Sequence, residues 1–427
     1  MRYVIIGASV AAVGVIEGIR SIDPDGTITV LTAEEDPYYS RTLISYYLAG
    51  KIDSQKLYYR QKSFYIRNNV DVICSEVAEI NPEKSFIVTS GGRQLNYDCL
   101  ALTVGGTPTL LDEISAGREN VIGFYTLQDA RRIMRLVHSG TKTVIIGAGL
   151  VGLKAAEALH SLGVPVTVID MAPHVMPGSL DEESGRIVQQ HLVNQGINFR
   201  MGIEIKEIEG SPLINRLRLS DGEEVPCNLL IVAAGTTPNI ALAKSVGIDT
   251  NRGILVDLHQ RTSIPNIYAA GDVAEAMEVL SGRQNVVPLL PLAYDQGRVA
   301  GINMASGEAE YLESLALNST SLLGLAIMSA GDSRADGVKT LNETSQNPYY
   351  RKIVLDQGII TGFIAINNVD KIGILTELIR KKINIQGMEQ ILLAPFLNQI
   401  DLEDLLHDVE RGQQNELLMP KACTTAN

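Results

Sequence analysis

One pattern occurs twice in this chain: a short apolar strand, a turn of small residues, and a helix that leads to a second apolar strand. The first copy has its turn at Gly7 and the second at Gly147, 140 residues further on. The predicted strand, helix and strand of the two copies are residues 3–7, 10–19 and 27–32, and residues 143–146, 150–162 and 166–170. Because this order is the building unit of a doubly wound parallel sheet, the chain predicts two α/β domains of that kind.

A second repeated pattern supports the duplication. In each half an apolar strand runs into a glycine and then a Thr-Pro pair, within residues 100–108 and 229–238. The pattern changes after residue 310, where strands at 352–355 and 359–366 precede a helix at 372–382. We therefore expect a third, α+β domain after the two α/β domains, in keeping with a length of 427 residues.

The composition is typical of a globular protein with neither a membrane span nor a nucleic-acid surface. Hydrophobic residues make up 45% of the chain and the net charge is −13, which disfavours nucleic acid as a partner. No apolar run reaches the roughly 18–20 residues that cross a bilayer, and the apolar start lacks the cleavage region of a signal peptide. The four cysteines and six histidines are scattered, so we expect no metal site and a reducing, cytoplasmic setting.

The turn at Gly147 has the complete glycine pattern of a dinucleotide-binding site. Three glycines permit a tight turn, close approach of the backbone to a pyrophosphate, and close packing of helix on strand. Asp170 ends the next strand, where a carboxylate accepts hydrogen bonds from ribose hydroxyls and repels a 2′-phosphate. We predict NAD(H) over NADP(H), since residues 171–176 hold no Arg or Lys, although His174 lies among them. The residues predicted to contact NAD are Gly147, Gly149, Leu150, Val151, Gly152, Asp170, Ala234 and Gly235.

The turn at Gly7 is a degraded copy of the same pattern. Ser9 and Ala12 replace the second and third glycines, and both are small enough to leave room for a pyrophosphate. Thr32 stands where the acid is expected, and Glu34 is the nearest carboxylate. Taken alone, this turn fits an ordinary strand–helix connection as well as it fits a nucleotide site.

A third pattern, an apolar strand that ends in a Gly-Asp pair, helps to interpret the turn at Gly7. A short apolar strand begins at Ile267 and ends at Gly271 and Asp272, with Thr262 shortly before it. Open α/β sheets bind ligands at the C-terminal ends of their strands. The strand therefore places the Asp272 carboxylate at that edge, beside Gly271, which allows a ligand to approach the backbone closely.

In combination, these motifs resemble the two-dinucleotide-domain flavoproteins of the pyridine nucleotide–disulfide oxidoreductase superfamily, over roughly residues 1–310. The resemblance implies FAD at the Gly7 turn, with Asp272 at its ribityl chain and phosphate, and NAD(P)H at the Gly147 turn. Residues 293–297 resemble the helix start beside the flavin, whose N–H groups stabilise negative charge. The FAD contacts implied are Gly7, Ser9, Ala12, Glu34, Arg41, Val77, Thr103, Gly105, Gly271, Asp272, Gln296 and Gly297.

The same resemblance implies the domain boundaries. A discontinuous FAD-binding domain is expected at residues 1–118 and 249–310, and an NAD-binding domain at 119–248. A C-terminal interface domain is expected at 311–410, followed by a polar tail at 411–427. Residues 318–325 and 373–379 resemble the domain through which nitrite-reductase-type flavoproteins dimerise or dock a partner, so we expect a homodimer.

The stretch at 37–50 distinguishes subgroups of the superfamily. Thr42 stands where NADH peroxidases and coenzyme A disulfide reductases carry a cysteine, so no thiol mechanism is expected. The Tyr-Ser-Arg-x-Leu pattern around Arg41 resembles NAD(P)H nitrite reductases, NADH:rubredoxin reductases and ferredoxin reductases instead, and places Arg41 at the FAD phosphates.

Two further residues depart from the superfamily near the flavin N5 atom. Lys154 stands where many relatives have Glu, and Tyr46 stands near the position of their lysine. The charge arrangement is thus inverted, and Lys154 either favours hydride arrival at the flavin or faces solvent. We treat both residues as catalytic candidates.

The resemblance implies an FAD-dependent enzyme that moves electrons between NADH and a one-electron carrier without a redox-active cysteine. That carrier is a rubredoxin, a ferredoxin or an iron–sulfur subunit, such as those of carbon monoxide dehydrogenase or nitrite reductase systems. Two alternatives stay open: a peroxide-forming NADH oxidase, and a flavin-free nucleotide-binding interaction subunit. The second rests on the degraded Gly7 turn and on residues 103–105, where relatives have Ala-Thr-Gly.

Overall fold

A computed structural model describes residues 1–109, 114–278, 280, 282–312, 315–342, 348–367 and 369–393. The predicted tail at 411–427 and the end of the predicted interface domain lie outside this range. The chain forms two compact units. The first contains Met1–Gly178 and Gln189–Ala316, and the second contains Ser179–Val188 and the described residues from Leu317 onward.

A five-stranded, all-parallel sheet forms the first half of the first unit. In spatial order its strands are Ile267–Ala269, Cys99–Leu102, Arg2–Ile6, Thr27–Thr32 and Val70–Cys74. Alternate residues of Arg2–Ile6 point to opposite faces, and both faces are buried. Tyr3 and Ile5 pack with the helices Val10–Arg20 and Leu290–Met304.

The other face of this sheet is covered by antiparallel strands instead of helices. Val4 and Ile6 pack there with Val77, Ile80 and Ile87. These last residues come from a three-stranded antiparallel sheet of Val77–Asn81, Phe86–Thr89 and Gln94–Asn96. A small sheet of Ile254–Leu255, Ala274–Met277 and Gln284–Asn285 contributes to the same hydrophobic cluster.

A second all-parallel sheet repeats this plan. In spatial order its strands are Asn198–Met201, Val166–Asp170, Thr143–Ile146, Leu229–Val232 and Val121–Gly123. One face packs on an antiparallel sheet of Ile205–Glu209, Arg216–Leu219 and Glu224–Pro226. The predicted strands at 27–32, 143–146 and 166–170 are confirmed with the same bounds. Two Rossmann-like α/β halves, each built on a five-stranded parallel sheet, are therefore present in the first unit.

The two Thr-Pro segments found in the sequence pair with each other. Gly106–Pro108 and Thr236–Pro238 form a two-stranded antiparallel ribbon that joins the halves. The N–H of Asn239 donates to the carbonyl of Gly105, and that of Thr109 donates to the carbonyl of Gly235. The duplication seen in the sequence therefore corresponds to a direct contact between the halves.

The remaining helices are short, and within the described residues none is long and apolar enough to cross a membrane. Two single-turn 3-10 helices span Arg41–Leu43 and Ser54–Leu57. Further α-helices outside the C-terminal region are Ile44–Leu48, Lys62–Arg67, Leu127–Leu136, Leu150–Ser161, Glu182–Asn194 and Ala241–Lys244.

The second unit contains a five-stranded antiparallel sheet. In spatial order its strands are Leu317–Leu322, Leu325–Gly331, Ile359–Ile366, Tyr349–Asp356 and Val338–Asn342. Two helices follow, Gly373–Arg380 and Glu389–Leu393. The predicted strand at 359–366 is confirmed, while the strand predicted at 352–355 is longer and the helix predicted at 372–382 is shorter. The sequence correctly predicted a C-terminal α+β fold.

Candidate functional site: two matching glycine turns

The turn at Gly147 has the geometry that its three glycines predict. Gly147 has a φ of +107°, and a Cβ there would lie 2.3 Å from the carbonyl oxygen of Ala233. A Cβ on Gly152 would lie 2.0 Å from the carbonyl oxygen of Gly147, so this position brings helix and strand together. Gly149 instead faces open space and precedes helix Leu150–Ser161 with no side-chain cap. The free N–H groups of that helix start suit an anion.

Asp170 lies at the C-terminal end of the neighbouring strand, as predicted, and it organises the turn. Its carboxylate accepts hydrogen bonds from the N–H of Ala148 at 2.6 Å and from that of Ala172 at 2.8 Å. A carboxylate has about four lone-pair sites, so both oxygens retain capacity for ribose hydroxyls. The Asp170 carboxylate thus stabilises the turn and can also accept hydrogen bonds from the ribose of a nucleotide.

The Gly7 turn reproduces this geometry despite its degraded sequence. Gly7 has the same φ of +107°, and a Cβ there would lie 2.2 Å from the carbonyl oxygen of Thr103. The Thr103 hydroxyl donates to the carbonyls of Ile6, at 3.0 Å, and Gly7, at 3.2 Å. Ser9 precedes helix Val10–Arg20 without capping it through its side chain, and Ala12 is fully buried. This turn therefore also presents an uncapped helix start at the carboxyl edge of its sheet.

Glu34 and Arg41, which were both predicted to contact FAD, lie together in one cluster. The Arg41 guanidinium forms an ion pair with Glu34, and it also donates to the carbonyl of Tyr125 at 2.9 Å. It lies over the Tyr125 ring, with Cζ 4.3 Å from the centroid. The Tyr39 hydroxyl donates to the second oxygen of Glu34 at 2.7 Å. The Arg41 guanidinium is therefore a half-buried cation that is held close to the C-terminal end of strand Thr27–Thr32.

Asp272 lies beside that cluster at the end of strand Ile267–Ala269. Burial raises the pKa of its carboxyl group, and the positive charge of Arg41 partly offsets this. Within the described residues no donor forms a hydrogen bond to this carboxylate. The preceding N–H, of Gly271, donates to the side-chain oxygen of Gln296 at 2.8 Å. This bond fixes the backbone beside Asp272. The Asp272 carboxylate itself accepts no hydrogen bond within the described residues, so its oxygens can accept hydrogen bonds from a ligand.

The helix near Gly297 starts earlier than the resemblance implied. It begins at Leu290, and the N–H of Ala293 already donates to the carbonyl of Leu289 at 2.9 Å. The N–H groups of residues 293–297 therefore lie within the helix, and the predicted helix start there was wrong. Gly297 faces the first helix, because a Cβ on it would lie 2.1 Å from the carbonyl oxygen of Ala11.

The other predicted contacts lie in three different kinds of surroundings. Val77 lies in a hydrophobic cluster with the sheet, so its side chain has a packing role. Gly105 has a φ of +60°, and a Cβ on it would lie 3.6 Å from the Tyr125 hydroxyl oxygen. The residues at the rim of the Gly147 turn are exposed or half-buried: Leu150, Val151, Ala234 and Gly235.

Tyr46 and Lys154 lie together where helix Ile44–Leu48 of the first half contacts helix Leu150–Ser161 of the second. The Lys154 Nζ is 5.0 Å from the centroid of the Tyr46 ring. Its side chain is only 15% exposed and forms an ion pair with Glu157. Lys154 does not simply face solvent, which was one of its two interpretations.

Residues 1–297 match the pyridine nucleotide-disulphide oxidoreductase family. The chain belongs to this family. This confirms the resemblance that the motifs indicated. Residues 318–383, in the second unit, match the rubredoxin NAD+ reductase C-terminal domain.

Two curated relatives match most of this oxidoreductase chain. The NAD(P)H nitrite reductase of Bacillus subtilis (strain 168) is 32% identical over 405 residues, 93% of this chain and 49% of that protein. The epsilon subunit of the NADH-dependent phenylglyoxylate dehydrogenase of Aromatoleum evansii is 28% identical over 92% of this chain and 94% of the subunit. The chain thus spans about half the length of the first relative and nearly all of the second.

A solved structure supports the fold. The covalent putidaredoxin reductase–putidaredoxin complex contains a chain that superimposes with a TM-score of 0.88 at 23% identity. The match covers 96% of this oxidoreductase chain and 99% of the other.

Thr42 and the described cysteines of this oxidoreductase chain bear on whether its mechanism uses a thiol. Thr42 lies in the 3-10 helix Arg41–Leu43, and its hydroxyl is 2.9 Å from that of Ser40. Burial raises the pKa of Cys99 to about 11 and that of Cys227 to about 12, so both thiols stay protonated near neutral pH. Cys74 is exposed on an edge strand of the first sheet.

Sequence reasoning missed three residues of the site: Tyr39, Tyr125 and Glu157. Tyr39 and Tyr125 hold Arg41, although they are 86 residues apart in the chain. Glu157 is different, because its spacing of three residues from Lys154 on a predicted helix is a readable signal for an ion pair.

Proposed function

We propose that this chain binds FAD at the Gly7 turn and NADH at the Gly147 turn, and moves electrons between NADH and a one-electron carrier protein. The observation that carries the proposal is the matching geometry of the two turns within one unit. Each has a first glycine at a φ of +107° pressed against a strand carbonyl, and an uncapped helix start. One unit can therefore take two dinucleotides by the same physical means.

The residues at the first turn fit FAD. The uncapped start of helix Val10–Arg20 suits a pyrophosphate, and Arg41 offers a fixed cation. Asp272, with a raised pKa and no donor from the described residues, suits the hydroxyls of a ribityl chain. The buried hydroxyl of Ser45 also has no hydrogen-bond partner among the described residues, as expected next to a site that a ligand completes.

Bound FAD would supply the chemistry that connects a two-electron donor to a one-electron acceptor. The chain would supply the rest. The glycine turns would orient the two dinucleotides, and the carboxylates of Asp170 and Asp272 would fix their sugar hydroxyls. The ribbon between Gly106–Pro108 and Thr236–Pro238 would keep the two sites in register.

We further propose that the acceptor is a rubredoxin, a ferredoxin or an iron–sulfur subunit, in keeping with the rubredoxin NAD+ reductase C-terminal domain that residues 318–383 match and with the nitrite reductase relative. Thr42 and the protonated state of Cys99 and Cys227 support electron transfer without a thiol. A homodimer, a cytoplasmic location, the preference for NADH and the boundaries at residues 118, 248 and 310 remain part of this proposal.

The proposal is tested by anaerobic stopped-flow absorbance on protein reconstituted with FAD. We expect the protein to be yellow and NADH to bleach its flavin absorbance. Oxidised rubredoxin or ferredoxin should then restore that absorbance when it is mixed with the reduced protein. Arg41→Ala should weaken FAD retention, while Arg200→Ala, which removes an exposed arginine of the second half, should not.

Two results would contradict the proposal. Protein that stays colourless after incubation with FAD would favour a flavin-free interaction subunit. Bleached protein that ignores both carriers but is restored by oxygen, with formation of peroxide, would favour an NADH oxidase.

A further inference from the structure

In the first half, the segment that enters the ribbon starts at the Gly7 turn. A Cβ on Gly7 would lie 2.2 Å from the carbonyl oxygen of Thr103, so this carbonyl is pressed against the turn. Val104 follows Thr103 directly, and the ribbon strand Gly106–Pro108 comes shortly after it. Because only a short stretch of backbone separates the two, a displacement of the ribbon strand is passed on to the Gly7 turn.

The second half enters the ribbon in the same way. A Cβ on Gly147 would lie 2.3 Å from the carbonyl oxygen of Ala233, and the ribbon strand Thr236–Pro238 follows shortly after Ala233. The two strands lie close together, since a Cβ on Gly106 would be 2.9 Å from the carbonyl oxygen of Thr237. The ribbon is therefore a short connection between the two turns that we propose to bind FAD and NADH.

Asn239, the residue after the second ribbon strand, binds the first half through its backbone and its side chain. Its N–H donates to the carbonyl of Gly105 at 2.9 Å, and its side-chain Nδ2 donates to the carbonyl of Val104 at 2.9 Å. Its side-chain Oδ1 accepts a hydrogen bond from the Thr107 hydroxyl at 2.7 Å. These hydrogen bonds hold the first half on both sides of Gly106, next to the residue that is pressed against the Gly7 turn.

An asparagine suits this place because its amide offers a donor and an acceptor together. The donor meets the carbonyl of Val104 and the acceptor meets the hydroxyl of Thr107, and an apolar side chain of similar size could bind neither. The pairing of the ribbon strands themselves is made by backbone groups and does not depend on this side chain. The Asn239 amide therefore adds a fixed link between the halves to a ribbon that would form without it.

We infer that Asn239 is a positioning residue that sets the orientation of the two nucleotide turns relative to each other, and thereby the rate at which NADH reduces bound FAD. The inference rests on the proposed function. In that step a hydride, which carries two electrons and one proton, leaves NADH and is taken up by FAD, so that NAD+ and reduced FAD remain. The rate of such a transfer depends steeply on geometry, and a misplacement of about 1 Å can lower it about 100-fold. Each cofactor is bound by its own half, so a changed orientation slows the transfer without weakening the binding of either cofactor.

The test is the reduction of FAD-loaded protein by NADH, followed by anaerobic stopped-flow absorbance over a range of NADH concentrations. Asn239→Ala should lower the limiting rate of flavin reduction at saturating NADH by about tenfold. The Kd for NADH and the Kd for FAD should stay within about twofold of wild type, because each turn keeps its own contacts. Thr107→Val removes only one of the two side-chain hydrogen bonds and should give a smaller loss of the same kind.

A second measurement needs no turnover. In FAD-loaded protein without NADH, hydrogen exchange followed by mass spectrometry reports the amides of residues 104–109 and 236–239. These amides should exchange about tenfold faster in Asn239→Ala than in wild type, because two hydrogen bonds that hold the ribbon are lost. Strands Arg2–Ile6 and Thr143–Ile146 should keep their exchange rates, since neither contacts Asn239 through these bonds.

Asn251→Ala is the matched control. The Asn251 amide donates to the Glu275 carboxylate at 3.0 Å, and both residues belong to the first half. This variant also loses a side-chain hydrogen bond of an asparagine, but the bond lies within one half. Its limiting rate of flavin reduction and its hydrogen exchange in the ribbon should therefore equal those of wild type.

A limiting rate in Asn239→Ala equal to that of Asn251→Ala would overturn the inference, and so would a loss of rate that a matching rise in the Kd for NADH or FAD explains. If Asn239→Ala does not fold, Thr107→Val decides the same question through its limiting rate at unchanged Kd. Wild-type protein that binds no FAD, or whose bound FAD is not reduced by NADH, would instead refute the proposed function.

Discussion

At the scale of single residues, position in the turn decides what a glycine does. Gly149 faces open space and Gly152 is pressed against a carbonyl, although both belong to the same six-residue motif. In the first half, Ser9 and Ala12 occupy the equivalent places, and the turn keeps its geometry. The residue at the second glycine position must therefore be small so that a ligand can approach the backbone. The residue at the third position must be small so that the helix can pack on the strand.

Matched substitutions should separate these roles. Gly149→Val places a branched side chain where the pyrophosphate would approach, so we expect the Kd for NADH to rise at least about tenfold. Its cost to stability should stay within about 1 kcal/mol, the usual value of a cap residue. Gly152→Val should instead lower the free energy of unfolding by about 2–3 kcal/mol through overpacking. Thermal unfolding and NADH titration check both, and equal effects of the two variants on either measurement would contradict the assignment.

At the scale of elements, the crossing of two helices depends on four glycines. A Cβ on Gly14 would lie 2.2 Å from the carbonyl oxygen of Tyr294, and one on Gly18 would lie 2.3 Å from that of Arg298. In return, a Cβ on Gly297 would lie 2.1 Å from the carbonyl oxygen of Ala11, and one on Gly301 would lie 2.1 Å from that of Val15. The helix at the Gly7 turn and helix Leu290–Met304 thus pack backbone to backbone. This explains Gly297 by packing, where the resemblance implied a cofactor contact.

We expect Gly14→Ala to lower the free energy of unfolding by about 1–3 kcal/mol, since the neighbouring atom is backbone and cannot move aside cheaply. Gly178→Ala is the matched control, because a Cβ there meets nothing within 4 Å. It should stay within about 0.5 kcal/mol of wild type. Urea unfolding followed by circular dichroism measures both, and a Gly14→Ala variant as stable as Gly178→Ala would show that the helices can separate at little cost.

At the scale of the whole molecule, the second unit includes a segment that lies far from it in the chain. Ser179–Val188 belongs to this unit, and Asp181 anchors it. The Asp181 carboxylate accepts hydrogen bonds from the Lys352 ammonium at 2.6 Å and the Tyr350 hydroxyl at 2.7 Å. Burial alone would raise the pKa of Asp181, but hydrogen bonds from Lys352, Ser184 and Tyr350 lower it to about 2.

This lowered pKa makes the anchor sensitive to acid. A carboxyl whose pKa is lower in the folded state contributes stability that is complete above the ordinary carboxyl pKa near 4 and is lost as the pH falls to about 2. Asp181→Asn should therefore cost about 2 kcal/mol at pH 7, and this difference should shrink between pH 4 and pH 2. Hydrogen exchange in strand Tyr349–Asp356, followed by mass spectrometry, reports it locally.

The control for this prediction is a pair exposed to solvent. Glu377 and Lys381 are 46% and 61% exposed, so Glu377→Gln should change exchange little at any pH. A difference between Asp181→Asn and wild type that stays constant down to pH 2 would contradict the titration of Asp181.

The sequence by itself determined the two strand–turn–helix units, the glycine-dependent turns, the C-terminal α+β region and the family. These follow from local patterns: apolar periodicity, and positions where only a glycine tolerates a positive φ. Only the tertiary structure decided that Glu34 pairs with Arg41 beside Tyr125, that Gly297 meets Ala11, that helix Leu290–Met304 starts before residue 293, and that Asp181 belongs with Lys352. Most of these contacts join residues that are distant in the chain, and their energies depend on burial, which the pattern of a single segment does not specify.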